Sequence, residues 1–344
     1  MKRAEYLLFF TLAAFIVLAG CFHHEAGPAK KSGPPAVNHP VKPVLTYPLT
    51  GLPVRGEQNQ RVIGVMINNH TLARPQSGLY KADIVYEVLA EGNVTRFLAL
   101  YQSEKPNEIG PIRSARPYFI DLNNGYGGLF ICHGWSPAAR TMLESGKTDY
   151  LNGLFYDGTL FHRVTFRKAP HNSYITYDNI IKGAKEKHFA LTEKIPSLHF
   201  LTKQQAGALS GRTVHEAVIH SYGKGYTVGY IYNKKSGVFK RYTDGELSAD
   251  RETKTPVTAA NVFIVSARHH LINGDAKGRR DIDLTSGGDA YLLQHGKMNK
   301  VKWKNVGGHI LPYKNGHLVK FVPGKTWINI IPDVPGLSGV TITS

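Results

Sequence analysis

The first 21 residues constrain this chain most, because they decide the compartment in which the rest of it folds. Lys2 and Arg3 precede an apolar run, residues 6–19, that only Thr11 interrupts. As a helix this run spans about 21 Å at roughly 1.5 Å per residue, which is short for a hydrocarbon core of about 30 Å. A positive start, a short apolar stretch and small residues after it are typical of a secretory signal. We therefore expect the chain to fold outside the cytoplasm.

The segment closes with Leu18-Ala19-Gly20-Cys21, which resembles the lipobox of bacterial lipoproteins. This resemblance implies cleavage before Cys21 and attachment of lipid, with acyl chains such as palmitate, to that cysteine. Residues 1–21 are then a lipoprotein signal with its lipidation cysteine. Each buried methylene contributes about 0.8 kcal/mol, so acyl chains hold a soluble domain at a bilayer. We expect a lipid anchor on the extracytoplasmic face of the cell membrane; the alternative is a transmembrane anchor with an incidental cysteine.

Charge and cysteine content narrow the partners. The net charge is +17 and there are two cysteines, so lipidation of Cys21 leaves Cys132 without a disulfide partner. A positive field favours anionic partners. Outside the cytoplasm these are an anionic cell-wall polymer, an acidic lipid or an envelope protein, and nucleic acid is an unlikely partner because no nucleic-acid-binding motif is present. The alternative is charge kept for solubility. No metal-site or cofactor motif occurs, so no metal and no cofactor are expected.

The chain divides by composition into a tether and two folded segments. Residues 22–46 are rich in Pro, Gly, Lys and His, which predicts a flexible tether. Residues 47–200 mix strand and helix signals, and residues 205–340 show short strand-like runs separated by turn residues. Over 231–325 there are 17 Lys and Arg against 8 Asp and Glu. We predict an α+β fold, with a mixed α/β-type N-terminal domain around a central sheet and a smaller β-rich C-terminal domain.

One predicted hairpin carries a row of acidic residues. The run 83–90 alternates and is followed by the turn pair Gly92-Asn93, and 95–101 returns as its partner strand. Strand alternation then places Arg96 opposite Leu89 and on the same face as the acids. This row is either a solvated outer face, with Arg96 as counter-ion, or part of a functional site. The residues of this row are Asp83, Glu87, Glu91 and Arg96.

Two further clusters suggest anion binding. If Ser114 caps a helix that has Pro117 in its first turn, Arg113 and Arg116 flank the positive end of that helix; the alternative is structural ion pairing with the acids. A polar, loop-like stretch follows at 161–174, in which His171 is suited to acid–base chemistry near neutral pH, although a structural histidine is more common. Cys132 ends an apolar run and is interpreted as a buried thiol. Ser136 is expected to cap a helix that ends at 145–146, and Thr176 another over 177–187.

Several motifs in order resemble the YerB-like family of bacterial lipoproteins, which joins a DUF3048 N-terminal domain to a YerB C-terminal domain. They are Arg74–Leu79, Ala82–Glu87, Glu91–Phe97, Gly110–Arg116, Arg167–Tyr174 and Pro323–Trp327. The resemblance covers roughly 45–335 and implies the fold and location given above, with no established enzymatic activity. Asn93 stands where the family usually has glycine, and Trp135 stands where a small residue is expected.

Two functions remain open. The first is a non-catalytic binding or accessory protein for an anionic envelope ligand or an envelope protein. The second is a hydrolase or transferase acting on an anionic envelope polymer, which requires distant motifs to meet in one cleft. The lack of a specific catalytic motif favours the first. The candidate ligand-binding residues are Arg74, Arg96, Arg113, Ser114, Arg116, Arg163, Arg167 and Asn172, and the candidate catalytic residues are Glu87, Glu91 and His171.

Overall fold

The structure is a computed structural model that describes residues 45–56, 58–223 and 225–344. Cys21, the signal at 1–21 and the tether up to residue 44 lie outside the described residues. From Val44 onward the chain forms one compact unit. Within the described ranges, no helix is both long and apolar enough to cross a bilayer.

Strands outnumber helices throughout the part of the chain that the structure describes. The elements up to residue 190 are β1 (Ile63–Asn68), β2 (Ile84–Glu91), β3 (Val94–Tyr101), β4 (Glu108–Ile109), α1 (Pro117–Gly125), β5 (Leu129–Cys132), α2 (Pro137–Glu144), β6 (Tyr150–Asn152), α3 (Gly153–Tyr156), β7 (Phe161–Arg163), β8 (Ser173–Thr176) and α4 (Tyr177–Glu186). The later elements are α5 (Lys203–Gly207), β9 (Arg212–Thr213), β10 (Glu216–Ile219), β11 (Val228–Asn233), β12 (Val238–Thr243), β13 (Glu246–Leu247), β14 (Thr258–Ala259), β15 (Asn261–Ala267), β16 (His269–Leu271), β17 (Arg280–Ile282), β18 (Gly288–Gln294), β19 (Lys297–Val306), β20 (His309–Lys314), β21 (His317–Leu318), β22 (Thr326–Pro332) and β23 (Val340–Thr343). Short 3-10 helices lie at Thr71–Ala73, Leu79–Lys81 and Gly336–Gly339.

A 12-stranded mixed sheet organises the fold, and both sequence segments contribute to it. Its order is β21-β20-β19-β18-β15-β22-β2-β3-β1-β5-β6, with β9 paired to β19. β22 lies between β15 and β2 and is parallel to both, so the last motif of the C-terminal segment joins the two segments. The protein is therefore sheet-rich, whereas the division into domains at 47–200 and 205–340 stays a prediction about how independently the segments fold.

Six of the seven strands from β15 to β6 in this order end at the same edge. β1, β5 and β6 are parallel to one another, and β1 and β2 are both antiparallel to β3. β2, β22 and β15 are parallel as well. We call the edge where these strands end the carboxyl edge, and the opposite one the amino edge. The described chain begins at the amino edge, where the Gly324 amide, just before β22, donates to the carbonyl of Thr50 (2.7 Å).

The two faces of the large sheet bury separate cores. One face packs Val85, Phe97 and Trp327 against a second sheet, of which Tyr230 and Phe239 are part. The second sheet has the order β13-β12-β11-β10-β23, with β14 on β12. The other face packs its apolar residues against α1 and α2. Both faces of β2 are therefore covered, and the alternative of a solvated outer face is wrong for this strand.

The predicted hairpin forms, with a change of register near its tip. The two-residue turn Gly92-Asn93 is confirmed, because Glu91 pairs with Val94 across it. Between Leu89 and Glu91 the register shifts. Such a bulge places an extra residue in one strand and exchanges the faces of the side chains that follow.

This bulge corrects the expected acidic row. Arg96 pairs with Val88 and not with Leu89. Glu91, beyond the bulge, comes to the face of Arg96, while Glu87 stays on the opposite face. The expectation that the four charged residues share one face is therefore wrong, because alternation was counted through a position that the bulge interrupts.

Two of the three expected helix starts are confirmed. The hydroxyl of Ser136 accepts from the third amide of α2, and that of Thr176 accepts from the third amide of α4. Ser114 does not cap α1: its Oγ donates to the carbonyl of His133 (3.1 Å), and Arg116 is the N-cap residue. The helix begins later because the chain at Ala115 is still paired in extended form with Trp135.

Candidate functional site

Three polar stretches meet at the carboxyl edge beside β1 and β5. The first is at Asn68, where β1 ends, the second follows β5 at His133, and the third contains Pro111 and Arg113. The Asn68 amide donates to the carbonyl of Pro111 (2.8 Å), and the His133 amide donates to that of Arg113 (3.0 Å). Between them, the amide after Pro111 donates to the carbonyl of Ser173 (2.7 Å). In open sheets, the carboxyl ends of parallel strands are where ligands bind.

Arg113 lies within this site, and the residues that the structure describes provide no counter-ion for it. Its Nε is buried without a hydrogen-bond partner, and in the described chain no carboxylate pairs with its guanidinium. Burial, with a smaller effect from the charge of Arg96, lowers the pKa of Arg113 to about 10. A partly buried charge costs free energy unless it is paired, so this guanidinium is suited to an anion that enters from solvent.

Two imidazole rings stack close to Arg113. The rings of His70 and His171 lie 4.5 Å apart between centroids, at an interplanar angle of 30°. The side-chain amide of Asn68 lies 2.9 Å from Nδ1 of His171 and donates to it. Burial lowers the pKa of both histidines, and the charge of Arg113 lowers both further. Both rings are consequently neutral at pH 7 and act here as polar, uncharged neighbours of the guanidinium.

A third imidazole, His133, connects the site to Arg163. The guanidinium of Arg163 lies 3.0 Å from Nε2 of His133, and the hydroxyl of Ser173 lies 2.7 Å from Nδ1. Because arginine only donates, Nε2 is the acceptor and Nδ1 carries the hydrogen. Arg163 also pairs with Asp157 (2.8 Å) and donates to the side chain of Asn172 (3.1 Å). Arg163 and Asn172 therefore lie at the site, with Arg163 already partnered.

Arg96 and Arg116 share one carboxylate. Both pair with Glu91, and Arg96 also donates to the carbonyl of Ser114 (2.6 Å). The Nε atoms of both arginines are buried without partners, and burial lowers the pKa of each to about 10. Glu91 is 23% exposed, so this cluster reaches solvent and is held by structural ion pairs.

The remaining two candidate arginines bind other parts of the fold. Arg74 pairs with Asp244 (2.7 Å), in the turn between β12 and β13. Arg167 donates to the hydroxyl of Tyr174 and to the carbonyl of Pro75 (2.6 Å). Of the six candidate arginines, Arg113 is the one for which no acceptor is present among the described residues.

Glu87 is separated from every other candidate catalytic residue. Its side chain is 0% exposed and pairs with Arg241 (2.8 Å) beneath the second sheet. Asn69 and Thr95 donate to its other oxygen, at 3.2 and 3.0 Å. Glu91 lies on the opposite face of β2. The shared cleft that an enzyme would need is therefore not formed by Glu87, Glu91 and His171.

Several residues at this edge were not singled out in the sequence. His70 and His133 follow strand ends, and their positions were readable only once those ends were known. Arg279 and Arg280 come from the hairpin of β16 and β17, which contacts Gly92 across the chain (amide to the carbonyl of Gly278, 3.2 Å). With Arg116 they line a cleft of about 490 Å³ at the starts of α1 and α2. In the described ranges, no three potential ligands lie together as a metal site would require.

Comparison with known proteins identifies the family. Residues 49–190 match the "Protein of unknown function (DUF3048) N-terminal domain", and residues 218–328 match the corresponding C-terminal domain. A Bacillus subtilis (strain 168) protein named "Putative lipoprotein YerB" is 47% identical over 330 residues, which is 94% of each chain. The crystal structure of YerB protein from Bacillus subtilis matches with a TM-score of 0.81 at 48% identity, over 87% of this chain and 100% of that one. The chain therefore belongs to the DUF3048, YerB-like lipoprotein family.

Proposed function

We propose that this lipoprotein binds an anionic ligand of the cell envelope at the carboxyl edge of its large sheet. The observation that carries the proposal is Arg113, a partly buried guanidinium without an internal acceptor. Its charge adds to the effect of burial in lowering the pKa of three imidazoles, those of His70, His133 and His171. Arg96 and Arg116, in contrast, share the carboxylate of Glu91, and Arg163 pairs with Asp157. A net charge of +17 draws anions toward the protein as a whole.

The energetics favour a phosphate or a carboxylate at this position. Hydrogen bonds to a charged group contribute about 1.5–3 kcal/mol each, and a planar guanidinium forms two in parallel to such an oxyanion. The backbone around Arg113 is fixed by bonds to both neighbouring stretches. Little ordering is then needed when the anion binds, which improves affinity.

The proposal places this site on a lipid-anchored protein. The lipoprotein name of the relative supports membrane association, and the sequence adds Cys21 as the lipidation site and the extracytoplasmic face as the location. The same proposal includes an α+β fold for the protein and a boundary between its two domains near residues 200–205. The role is that of a binding or accessory protein.

The test uses the full chain in an uncharged polyoxyethylene detergent, with poly(glycerol phosphate) and phosphatidylglycerol vesicles as separate probes. We expect one of them to bind, more weakly as salt rises. Arg113→Gln should reduce affinity about ten-fold or more, because charge-assisted bonds are lost. Arg212→Gln, on exposed strand β9, removes the same charge and is the matched control.

Comparison of the two probes identifies the source of the anion. Binding of the polymer alone indicates a wall ligand, and binding of the vesicles alone indicates a lipid. Absence of binding to both at low salt, or equal loss in the Arg113 and Arg212 variants, would contradict the proposal.

A further inference from the structure

We infer that the anionic ligand is a glycan that carries its phosphate or carboxylate on a sugar ring, and that Trp135 and Phe155 form the surface on which that ring stacks. This inference rests on the proposed function, because it extends the anion site around Arg113 by a second contact. We call Trp135, Tyr150 and Phe155 the aromatic platform.

The platform is a connected group of rings. The ring of Trp135 lies 6.0 Å from that of Tyr150 and 5.6 Å from that of Phe155, both edge to face at 65°. The guanidinium of Arg140 lies 5.9 Å from the Trp135 ring. Edge-to-face packing at these distances is favourable between aromatic rings and holds each ring in a defined orientation.

The platform is open to solvent, unlike the aromatic residues of the two cores. Phe155 is 60% exposed and its neighbour Leu154 is 55% exposed. Trp135 is partly exposed, whereas Trp303 and Trp327 are buried. An exposed aromatic ring offers its electron-rich face, which suits the polarised C–H groups on the face of a pyranose. Packing of the core does not require Phe155 at this position.

The platform and the anion site are directly adjacent. His133 bonds the backbone of Arg113, and two residues further along Trp135 pairs with Ala115. The ring of His133 lies so close to Gly153 that a Cβ there would overlap it. Gly153 begins α3, which also carries Phe155. These contacts place the loop of Trp135 and the helix of Phe155 beside the imidazole of His133, which is bonded to the backbone of Arg113.

Asn152 fixes the two parts of this surface to each other. Its side-chain oxygen accepts from the amide of Gly134 (2.9 Å) and from that of Leu154 (3.0 Å). The residue is completely buried. A single side chain therefore binds the loop of Trp135 to the helix of Phe155, so that the rings are in position before a ligand arrives.

The shape of the surface favours a glycan over a bilayer. Arg113 is partly buried, so the charged group of a ligand has to extend inward to reach it. The rings stand beside that point at the surface. A ligand that fits both carries its anion on a ring a few ångströms across, as a sugar phosphate or a uronic acid does. A flat lipid surface would instead meet the projecting Phe155 first.

The experiment compares three small probes on the full chain in polyoxyethylene detergent: inorganic phosphate, N-acetylglucosamine and N-acetylglucosamine 6-phosphate. Because Trp135 is the partly exposed tryptophan, its fluorescence reports stacking. We expect the sugar phosphate to bind about ten-fold more tightly than phosphate, the size of a favourable aromatic contact. Phe155→Ala should remove most of this gain and leave the phosphate affinity unchanged. Leu247→Ala, another exposed apolar residue, should change neither.

The outcomes separate this inference from the proposed function. If phosphate binding depends on Arg113 but the sugar phosphate gains nothing and Phe155→Ala has no effect, the glycan inference is overturned while the anion site stands. If phosphatidylglycerol vesicles bind through Phe155 and the sugar phosphate gains nothing, the occupant is a bilayer and the inference fails. If neither phosphate nor the sugar phosphate binds, both proposals fail.

Discussion

Glu87 and Glu91 are four residues apart on β2, and each is paired with arginine, yet their surroundings differ completely. Glu87 pairs with one arginine, Arg241, in the interior, where both side chains are excluded from solvent. Glu91 meets two, Arg96 and Arg116, at an edge that water reaches. The bulge after Leu89 produces the difference, because it sends the two carboxylates to opposite faces. A sealed pair fixes how two sheets pack, whereas an open one is able to exchange its partners with ions from solution.

The largest effect is expected where the pair is sealed. Glu87→Ala leaves the charge of Arg241 buried without a carboxylate, and breaking such a pair costs about 3–5 kcal/mol. Urea unfolding followed by circular dichroism measures the loss. Added phosphate should not restore stability, because no anion can reach the interior. A loss below about 1 kcal/mol would show that the pair behaves like a surface ion pair.

At the open cluster we expect a smaller and reversible effect. Glu91→Ala removes the carboxylate shared by Arg96 and Arg116, and the groups left without an acceptor cost about 1–3 kcal/mol. Because this cluster reaches solvent, phosphate at about 100 mM should restore part of the lost stability. The same unfolding measurement with and without phosphate tests this, with Glu87→Ala as the comparison. Equal responses of the two variants to phosphate would remove the distinction between sealed and open pairs.

A third carboxylate, Glu108, lacks an arginine and should respond to pH. Burial, together with the charge of Glu252, raises the pKa of Glu108 to about 7. The folded state therefore holds a proton that the unfolded state releases at lower pH. The stability from this group is complete below its ordinary pKa of 4.5 and is lost as the pH rises through about 7.

Glu108→Gln should reduce the fall in Tm between about pH 5 and pH 8, because the variant cannot release that proton. Glu186→Gln, on the exposed side of α4, is the control and should leave the fall unchanged. The idea is refuted if the wild-type chain and the Glu108 variant lose Tm equally over this range.

The smallest effect on stability is expected at Arg113. Since no described residue accepts from its guanidinium, Arg113→Gln should change the free energy of unfolding by no more than about 0.5 kcal/mol, while it weakens anion binding about ten-fold or more. Thermal unfolding in phosphate-free buffer checks this. A loss comparable with that of Glu87→Ala would mean that Arg113 is a structural residue.

Local features of this fold were readable from the sequence, and contacts between distant residues were not. The turn at Gly92-Asn93 and the caps Ser136 and Thr176 depend on a few consecutive residues, and all are confirmed. The bulge before Glu91 has no equivalent signal, because its residues are apolar and typical of a strand. This single residue shift decided which charged groups meet.

The partners of the candidate site were beyond sequence reasoning for a related reason. Arg241 is 154 residues from Glu87 along the chain, and the two meet because the second sheet, which contains β12, packs on the face of β2 that carries Glu87. Similarly, His70 and His171 stack although 100 residues separate them. The sequence did identify Arg113 as a candidate, from its place before a proline-initiated helix. That it alone has no acceptor among the candidate arginines is known only from the assembled fold.

The position of Thr50 at one edge of the large sheet has a consequence for access to the proposed site. The Thr50 region lies at the amino edge, and the proposed site lies at the other end of the same strands. An eight-residue strand such as β2 is about 27 Å long at roughly 3.4 Å per residue. Asn68, where β1 ends, is level with Val88 of β2, so a ligand held there lies roughly 20 Å along the strands from the bond between Gly324 and Thr50. A partner bound at the amino edge would therefore leave the proposed binding surface accessible.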